Sequence, residues 1–207
     1  MDRISKDTKK YYENTLKLYG SNFKGMNWSS SRDQYLRFDQ LCKIGTFKNR
    51  SLHDLGCGNA ELLIYLKKNK IKFKSYLGTD ISADMIEVCK KKISKKKKIS
   101  FKTLDIKKQI KFQMTDYVLA SGIFSVKNNV SSKAWKIHVF NTIIKMFKFS
   151  KKGIAFNLMT FDVTFKNKLF FYMSVDEILR FLRKKISKKI IINHSYNLWE
   201  YTVFVYK

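Results

Sequence analysis

The chain has 207 residues, 44% hydrophobic and 15% aromatic, enough for one domain with a substantial core and too apolar for a disordered chain. Its formal net charge of +27 would suit a polyanion partner, yet only six of the 43 basic residues are arginine, the type suited to bidentate phosphate recognition. No apolar run reaches the about 20 residues that span a bilayer, and Cys42, Cys57 and Cys89 lack disulfide or metal-ligand spacing, so the chain reads as cytoplasmic, with no membrane partner and no metal.

In chain order, Tyr11, Tyr12, Leu16 and Tyr19 recur at helical spacing and predict a first helix, followed by a loop from Gly20 to Ser31. Tyr35, Phe38 and Leu41 share one stripe of a second helix, Ser31 to Ile44. Residues 1–48 therefore read as a helical arm or lid, and residues 49–207 as one α/β unit. Strand-like runs follow at 51–55, 75–79, 99–104, 114–121, 152–159, 189–194 and 199–206. Helical segments separate the first six, near 60–70, 83–94, 131–148 and 175–185, except that the gap between the third and fourth runs is too short for one.

Such alternation implies a parallel sheet covered on both faces by helices. The last two runs are joined only by Ser195-Tyr196-Asn197-Leu198, a link that permits an antiparallel hairpin but not a parallel crossover. The predicted fold is a three-layer, Rossmann-like α/β sandwich. Its seven-stranded, mostly parallel sheet carries an antiparallel C-terminal strand and is preceded by the helical arm. The densest lysines, Lys90–Lys92 and Lys95–Lys98, flank a predicted helix end, where cations are favourable. With no proline and five alanines, the lysine excess matches AT-rich coding and reads as a solvated surface.

Between the first strand and the next helix lies Gly56-Cys57-Gly58, a sharp turn that would bring backbone N–H groups toward a ligand at a helix N-terminus. A dinucleotide fingerprint would need glycine at position 61, which is Glu61, and the Gly-Lys-Ser/Thr of a P-loop is missing. Asp54, just before the turn, would repel a pyrophosphate and suits a cationic group such as an ammonium.

Asp54-Leu55-Gly56-Cys57-Gly58-Asn59 resembles motif I of the class I S-adenosylmethionine (SAM)-dependent methyltransferases. Three further segments match that family in order and spacing. Tyr76-Leu77-Gly78-Thr79-Asp80-Ile81-Ser82 ends the second strand with an acid, which the resemblance assigns to the ribose hydroxyls, with Ile81 and Met85 beside it. Leu104-Asp105-Ile106 ends the third strand, where the family places an acid near the adenine amino group and apolar neighbours against the ring. Tyr117 to Phe124 resembles the fourth strand and the turn under the methyl donor, giving Ala120, Ser121 and Gly122 as cofactor residues beside Asp54, Gly56, Cys57 and Gly58. The resemblance covers about residues 50–207 and implies SAM as cofactor and S-adenosylhomocysteine as product. One departure is Ala60, where the family commonly has glycine.

Asn27 to Phe38 is similar to a segment ahead of motif I in a group of small bacterial methyltransferases. That likeness implies an arm folded over the cofactor, with Arg37 on the methionine carboxylate. From the residues alone, Trp28 and Phe38 could instead pack the arm down while Arg32 and Arg37 stay solvated.

In an open α/β sheet the acceptor sits beyond the carboxyl ends of the strands. That rim should present His194 and Asp162 as candidate general bases, and Phe124, Asn157, Tyr196 and Glu200 as substrate-binding residues. His138, mid-helix between Ile137 and Val139, reads as a packed or surface histidine. Ala120-Ser121-Gly122-Ile123 stands where enzymes methylating planar amino groups use Asn/Asp-Pro-Pro-Tyr/Phe, which disfavours those classes. The expected acceptor is a hydroxyl, favoured over an amine, of a small polar molecule such as a sugar, surface-glycan or secondary-metabolite building block. An RNA methyltransferase aided by the basic surface and a catalytically idle SAM-binding partner subunit are the alternatives. Nucleic acid is thus a disfavoured partner, and a monomer or homodimer is expected.

Overall fold

The computed structural model describes residues 3–20 and 30–207. Two helices come first, α1 (Arg3–Tyr19) and α2 (Ser31–Cys42). Most of the expected loop between them, with Asn27 and Trp28, lies outside the described residues. Ser30 starts α2 as its N-cap, its hydroxyl accepting the Asp33 N–H at 3.0 Å. Phe38 and Leu41 of α2 are buried, and Phe38 and Tyr35 pack on the Tyr65 ring at 5.7 and 5.5 Å. The helix stops at Cys42, but Ile44 and Phe47 beyond it still enter the core.

The sheet comprises β1 (Ser51–Leu55), β2 (Ser75–Asp80), β3 (Ile99–Thr103), β4 (Thr115–Ala120), β5 (Ser150–Thr160), β6 (Tyr172–Met173), β7 (Ile190–Asn193) and β8 (Glu200–Tyr206). Its order is β3-β2-β1-β4-β5-β8-β7, with the two-residue β6 added alongside β5. The strands β1 to β6 pair in parallel, while β8 runs antiparallel to both β5 and β7. The fold is thus the expected mostly parallel, Rossmann-like sheet with a reversed C-terminal strand. The added β6 is too short to leave a period in the sequence.

Helices α3 (Glu61–Lys68) and α4 (Ala83–Lys92) join α2 on one side, burying Leu63, Leu66, Ile86 and Cys89. On the other side α5 (Ser132–Lys148) and α6 (Val175–Lys185) bury Trp135, Val139, Ile143, Ile178 and Leu182. Trp135 satisfies its indole N–H on the Phe124 carbonyl at 2.8 Å, so its large ring is buried without an orphaned donor. Truncating such a ring to alanine costs about 3–5 kcal/mol. Between β3 and β4 the short gap holds only a 3₁₀ turn, Ile106–Lys108, started by Asp105. No helix among the described residues is long and apolar enough to cross a membrane.

Candidate active site

Strand order reverses where β1 lies between β2 and β4, so successive crossovers leave to opposite sides and a crevice opens at the carboxyl ends. A cavity of about 850 Å³ occupies it. Its floor is the turn after β1, the ends of β2 and β3, and Ser121–Ile123 after β4. Thr8 and Tyr12 of α1, Arg37 of α2, and Trp199 and Glu200 at the start of β8 close the sides.

The turn after β1 is set by backbone conformation. Gly56, Gly58 and Ala60 have φ of 72°, 50° and 66°. A Cβ on Gly56 would lie 2.3 Å from Ile123 Cγ2, so glycine is required there by Ile123 as well as by φ. Ala60 holds a left-handed conformation that costs an alanine about 1–2 kcal/mol. That strain, more than close packing, is what a glycine at this position would relieve. The amides do not point where the sequence suggests. Gly56 and Cys57 both donate to the Thr79 carbonyl, at 2.7 and 2.9 Å, and Gly58 donates to Asp80 Oδ2 at 3.0 Å. The turn shapes the cavity while its N–H groups bind β2.

Asp80 also accepts the Ser82 N–H at 2.9 Å on its other oxygen, so its carboxylate is oriented from two sides. Burial raises its pKa, opposed by those amide bonds. Ser82 in turn donates to Glu13 of α1 at 2.9 Å, fastening the arm beside Asp80. Asp54 is 2% exposed and accepts the Tyr76 hydroxyl proton. Burial pushes its carboxyl up to about 7, the Tyr76 bond works against that, and the charge of Asp80 adds to it. Asp105 uses Oδ1 to accept the Lys107 N–H at 3.1 Å, while its buried Oδ2 has no hydrogen-bond partner.

Across the cavity Glu200 binds Arg37 through a fork, with Nε 2.9 Å from both carboxylate oxygens and a terminal nitrogen 2.5 Å from Oε1. Asn157 donates to the same carboxylate through Nδ2 and accepts the Gly122 N–H at 2.8 Å through Oδ1. One hydrogen-bonded chain thus runs from α2 through β8 and β5 to the turn after β4. His138 of α5 also lines the cavity, stacked on Trp135 at 4.8 Å, with Nδ1 2.9 Å from Lys107 Nζ.

Residues 53–145 match the family model described as a methyltransferase domain. Over 162 residues the chain is 28% identical to Rv1506c of Mycobacterium tuberculosis, a protein named as a candidate methyltransferase, spanning 76% of this chain and 93% of that protein. The two matches support a SAM-dependent methyltransferase of class I. Solved structures similar to the chain share its fold at low identity. Magnesium protoporphyrin IX methyltransferase of Synechocystis, crystallised with S-adenosylhomocysteine, superposes with a TM-score of 0.69 at 14% identity over 98% of this chain and 99% of that one. The N-methyltransferase NodS of Bradyrhizobium japonicum gives 0.63 at 12% identity over 96% and 97%.

Of the expected cofactor-side residues, Arg37, Asp54, Gly56, Cys57, Gly58, Asp80, Ile81, Met85, Leu104, Asp105, Ile106, Ser121 and Gly122 line the same cavity, and Ala120 is buried next to Ser121. The acceptor-side expectations fare differently. Phe124 and Asn157 are fully buried outside the lining, Tyr196 bonds Thr202 at 2.9 Å, and Glu200 lines the cavity but is engaged by Arg37. His194 and Asp162 are exposed and share a separate depression with Phe161 and Ser174. Sequence reasoning missed Tyr12, Met159, Phe170, Leu198 and Trp199, which line the cavity from α1, β5 and two loops. The stripe on α1 is legible, but which neighbour it faces is not.

Proposed function

We propose that the methyltransferase holds SAM along its three strand-end acids and transfers the methyl group to a nitrogen, or to an already ionised oxygen, of a small molecule with an apolar body. The observation that carries this reading is that Asp54, Asp80 and Asp105 open in series onto the same cavity as the Ser121–Ile123 turn. The residues fit the group. The orphaned Oδ2 of Asp105 suits the adenine amino group, with Leu104 and Ile106 against the ring. Asp80, oriented by two amides, suits the ribose hydroxyls, and Asp54 suits the ammonium. When bound, SAM supplies a methyl group activated on a sulfonium, and its product is S-adenosylhomocysteine.

The remaining work of the chain is positioning, since an in-line displacement depends on alignment. Asn157 fixes the Gly122 turn, and Arg37 acts by holding Glu200 and the arm in register rather than as the main carboxylate clamp. Lys107, which has only donors on its side chain, bonds Nδ1 of His138 at 2.9 Å and so fixes the ring against the cavity. His194 and Asp162, the expected bases, lie outside the cavity, which favours an acceptor that has lost its proton before it binds. Val126, Met159, Phe170, Leu198 and Trp199 give the acceptor an apolar wall.

The placement of the densest lysines counts against RNA. Lys67 and Lys68 end α3, Lys90–Lys92 end α4, and Lys95–Lys98 precede β3, all at the amino ends of the strands. Lys67 is pulled below the usual lysine range by partial burial and by Lys96 and Lys98 beside it. A polyanion bound there would lie about 20 Å, the length of a six-residue strand, from the cavity. Incubation with radiolabelled SAM and fractionated cell pools tests the reading. Label is expected in small molecules extractable into organic solvent. Label in RNA would replace the reading with the RNA one, and SAM binding without any label would favour an idle partner subunit.

A further inference from the structure

The loop 161–170 leaves β5 beside Trp199, where the Thr160 N–H donates to the Trp199 carbonyl at 3.1 Å. It returns along Val126–Asn128, where Lys127 and Asn128 donate to the Leu169 carbonyl and Val126 pairs with Phe170. Together these segments form a lip on the cavity, since Val126, Met159, Phe170 and Trp199 all line it. The outer side of the lip is apolar and open. Phe165 is 79% exposed, Trp199 57%, Phe161 56% and Leu169 45%. So many large apolar side chains on one loop and its neighbour cost solvation unless something covers them.

The charges on the lip say what kind of surface that is. Lys166 and Lys168 lie between Phe165 and Leu169, the one acid of the loop is Asp162, and Lys166 Nζ sits 3.2 Å from the centre of the Phe161 ring. Aromatic side chains interleaved with lysines match the boundary of a bilayer, where rings sit at headgroup depth and ammonium groups meet anionic headgroups. A second copy of the chain fits less well, because a symmetric contact would bring two sets of Lys166 and Lys168 together in proteins of net charge +27.

We propose that this lip seats the protein on an anionic lipid surface, from which an amphiphilic acceptor enters the cavity. Seating on a bilayer requires no spanning segment, so it is compatible with the absence of one among the described residues. The entry of the acceptor rests on the methyltransferase reading above, whereas the seating does not.

Flotation of the full chain with vesicles of mixed phosphatidylcholine and phosphatidylglycerol, at about 0.15 M salt, tests the proposal. Two variants separate seating by the lip from adsorption by net charge. Phe165→Ser/Leu169→Ser keeps every charge and should lower partition on the order of tenfold. Lys96→Gln/Lys97→Gln/Lys98→Gln removes three charges at the far end and should lower it less than about threefold, since those charges lie beyond the roughly 8 Å Debye length from a lipid surface under the lip. Titration of each variant with SAM checks its fold and keeps a failure of seating apart from a failure of the cofactor site. Three results would overturn the proposal: no flotation of the unmodified chain, a far-end variant as impaired as the lip variant, or lip-dependent self-association in sedimentation without lipid.

Discussion

Replacing Asp54 by asparagine tests the ammonium assignment through pH. The carboxyl sits at about 7 against a reference of 3.8, because burial outweighs the Tyr76 bond and Asp80 adds repulsion. The difference makes the ionised form about 4 kcal/mol harder to reach than in water. An ammonium bound against Asp54 selects the carboxylate, so affinity should follow the fraction already ionised in the free protein. That fraction is about 3% at pH 5.5 and one half at pH 7, predicting a rise of about 16-fold, or roughly 1.6 kcal/mol, across the interval. The ammonium stays charged throughout, since α-amino groups titrate at about 7.7–8.0. Calorimetric titration with SAM at half-unit steps of pH should show this rise for the unmodified chain and a weaker, flat profile for Asp54→Asn. Stability without SAM should move the other way. The raised pKa means the folded state keeps a proton that the unfolded chain has lost, so stability falls as pH rises from about 4 to about 7. Asp54→Asn should lack that decline. A flat affinity profile for the unmodified chain, or an equal slope in the asparagine variant, would refute the assignment.

Asp80→Ala should weaken SAM binding by at least about 100-fold, roughly 2.7 kcal/mol, by removing the ribose acceptor and freeing the Gly58 and Ser82 amides; calorimetry reads it, and a circular-dichroism melt checks that the fold survives. Arg37→Leu or Glu200→Leu alone should destabilise by about 3–5 kcal/mol by stranding a buried charge, and the double variant by clearly less; urea unfolding distinguishes this from additive losses. His53 is fully buried with Nε2 2.7 Å from Thr79 Oγ1, and burial holds its pKa down to about 3. Its contribution is present above about pH 6.5 and lost as pH falls toward 3, so between pH 6.5 and 4.5 the unmodified chain should lose about 2–3 kcal/mol relative to His53→Gln. His194→Ala should keep turnover within about twofold, once an acceptor is found, because the residue lies outside the cavity; loss of turnover with normal SAM affinity would restore it as the base.

Much of the fold is legible because the relevant signals are local. The helix and strand periods, the short Ser195–Leu198 link and the turn at Gly56 and Gly58 depend on neighbours within a few residues. The acids Asp54, Asp80 and Asp105 are legible because each lies within two residues of a strand's carboxyl end, and parallel strands carry their ends to one edge. What faces that edge from elsewhere is not local. Glu200 and Asn157 look like rim residues in sequence, yet the antiparallel register Asn157↔Thr202 and Met159↔Glu200 turns them inward, where Asn157 bonds Glu200 and Glu200 bonds Arg37, 163 positions away. His194 and His138 exchange places for a similar reason, since α5 packs over the turn after β3 while the end of β7 lies at the far side of β8.

The sequence by itself therefore determined the doubly wound sheet, its reversed last strand and the line of strand-end carboxylates proposed to hold SAM, since each follows from chain-local spacing and strand polarity. Only the tertiary structure decided which groups share the cavity with that line. It gave the Gly56–Gly58 amides to β2, Glu200 to Arg37 and one wall of the cavity to apolar side chains of β5 and two loops. Those outcomes depend on which distant surfaces meet when the sheet twists and the arm packs down, and contacts of that kind leave no period in the chain.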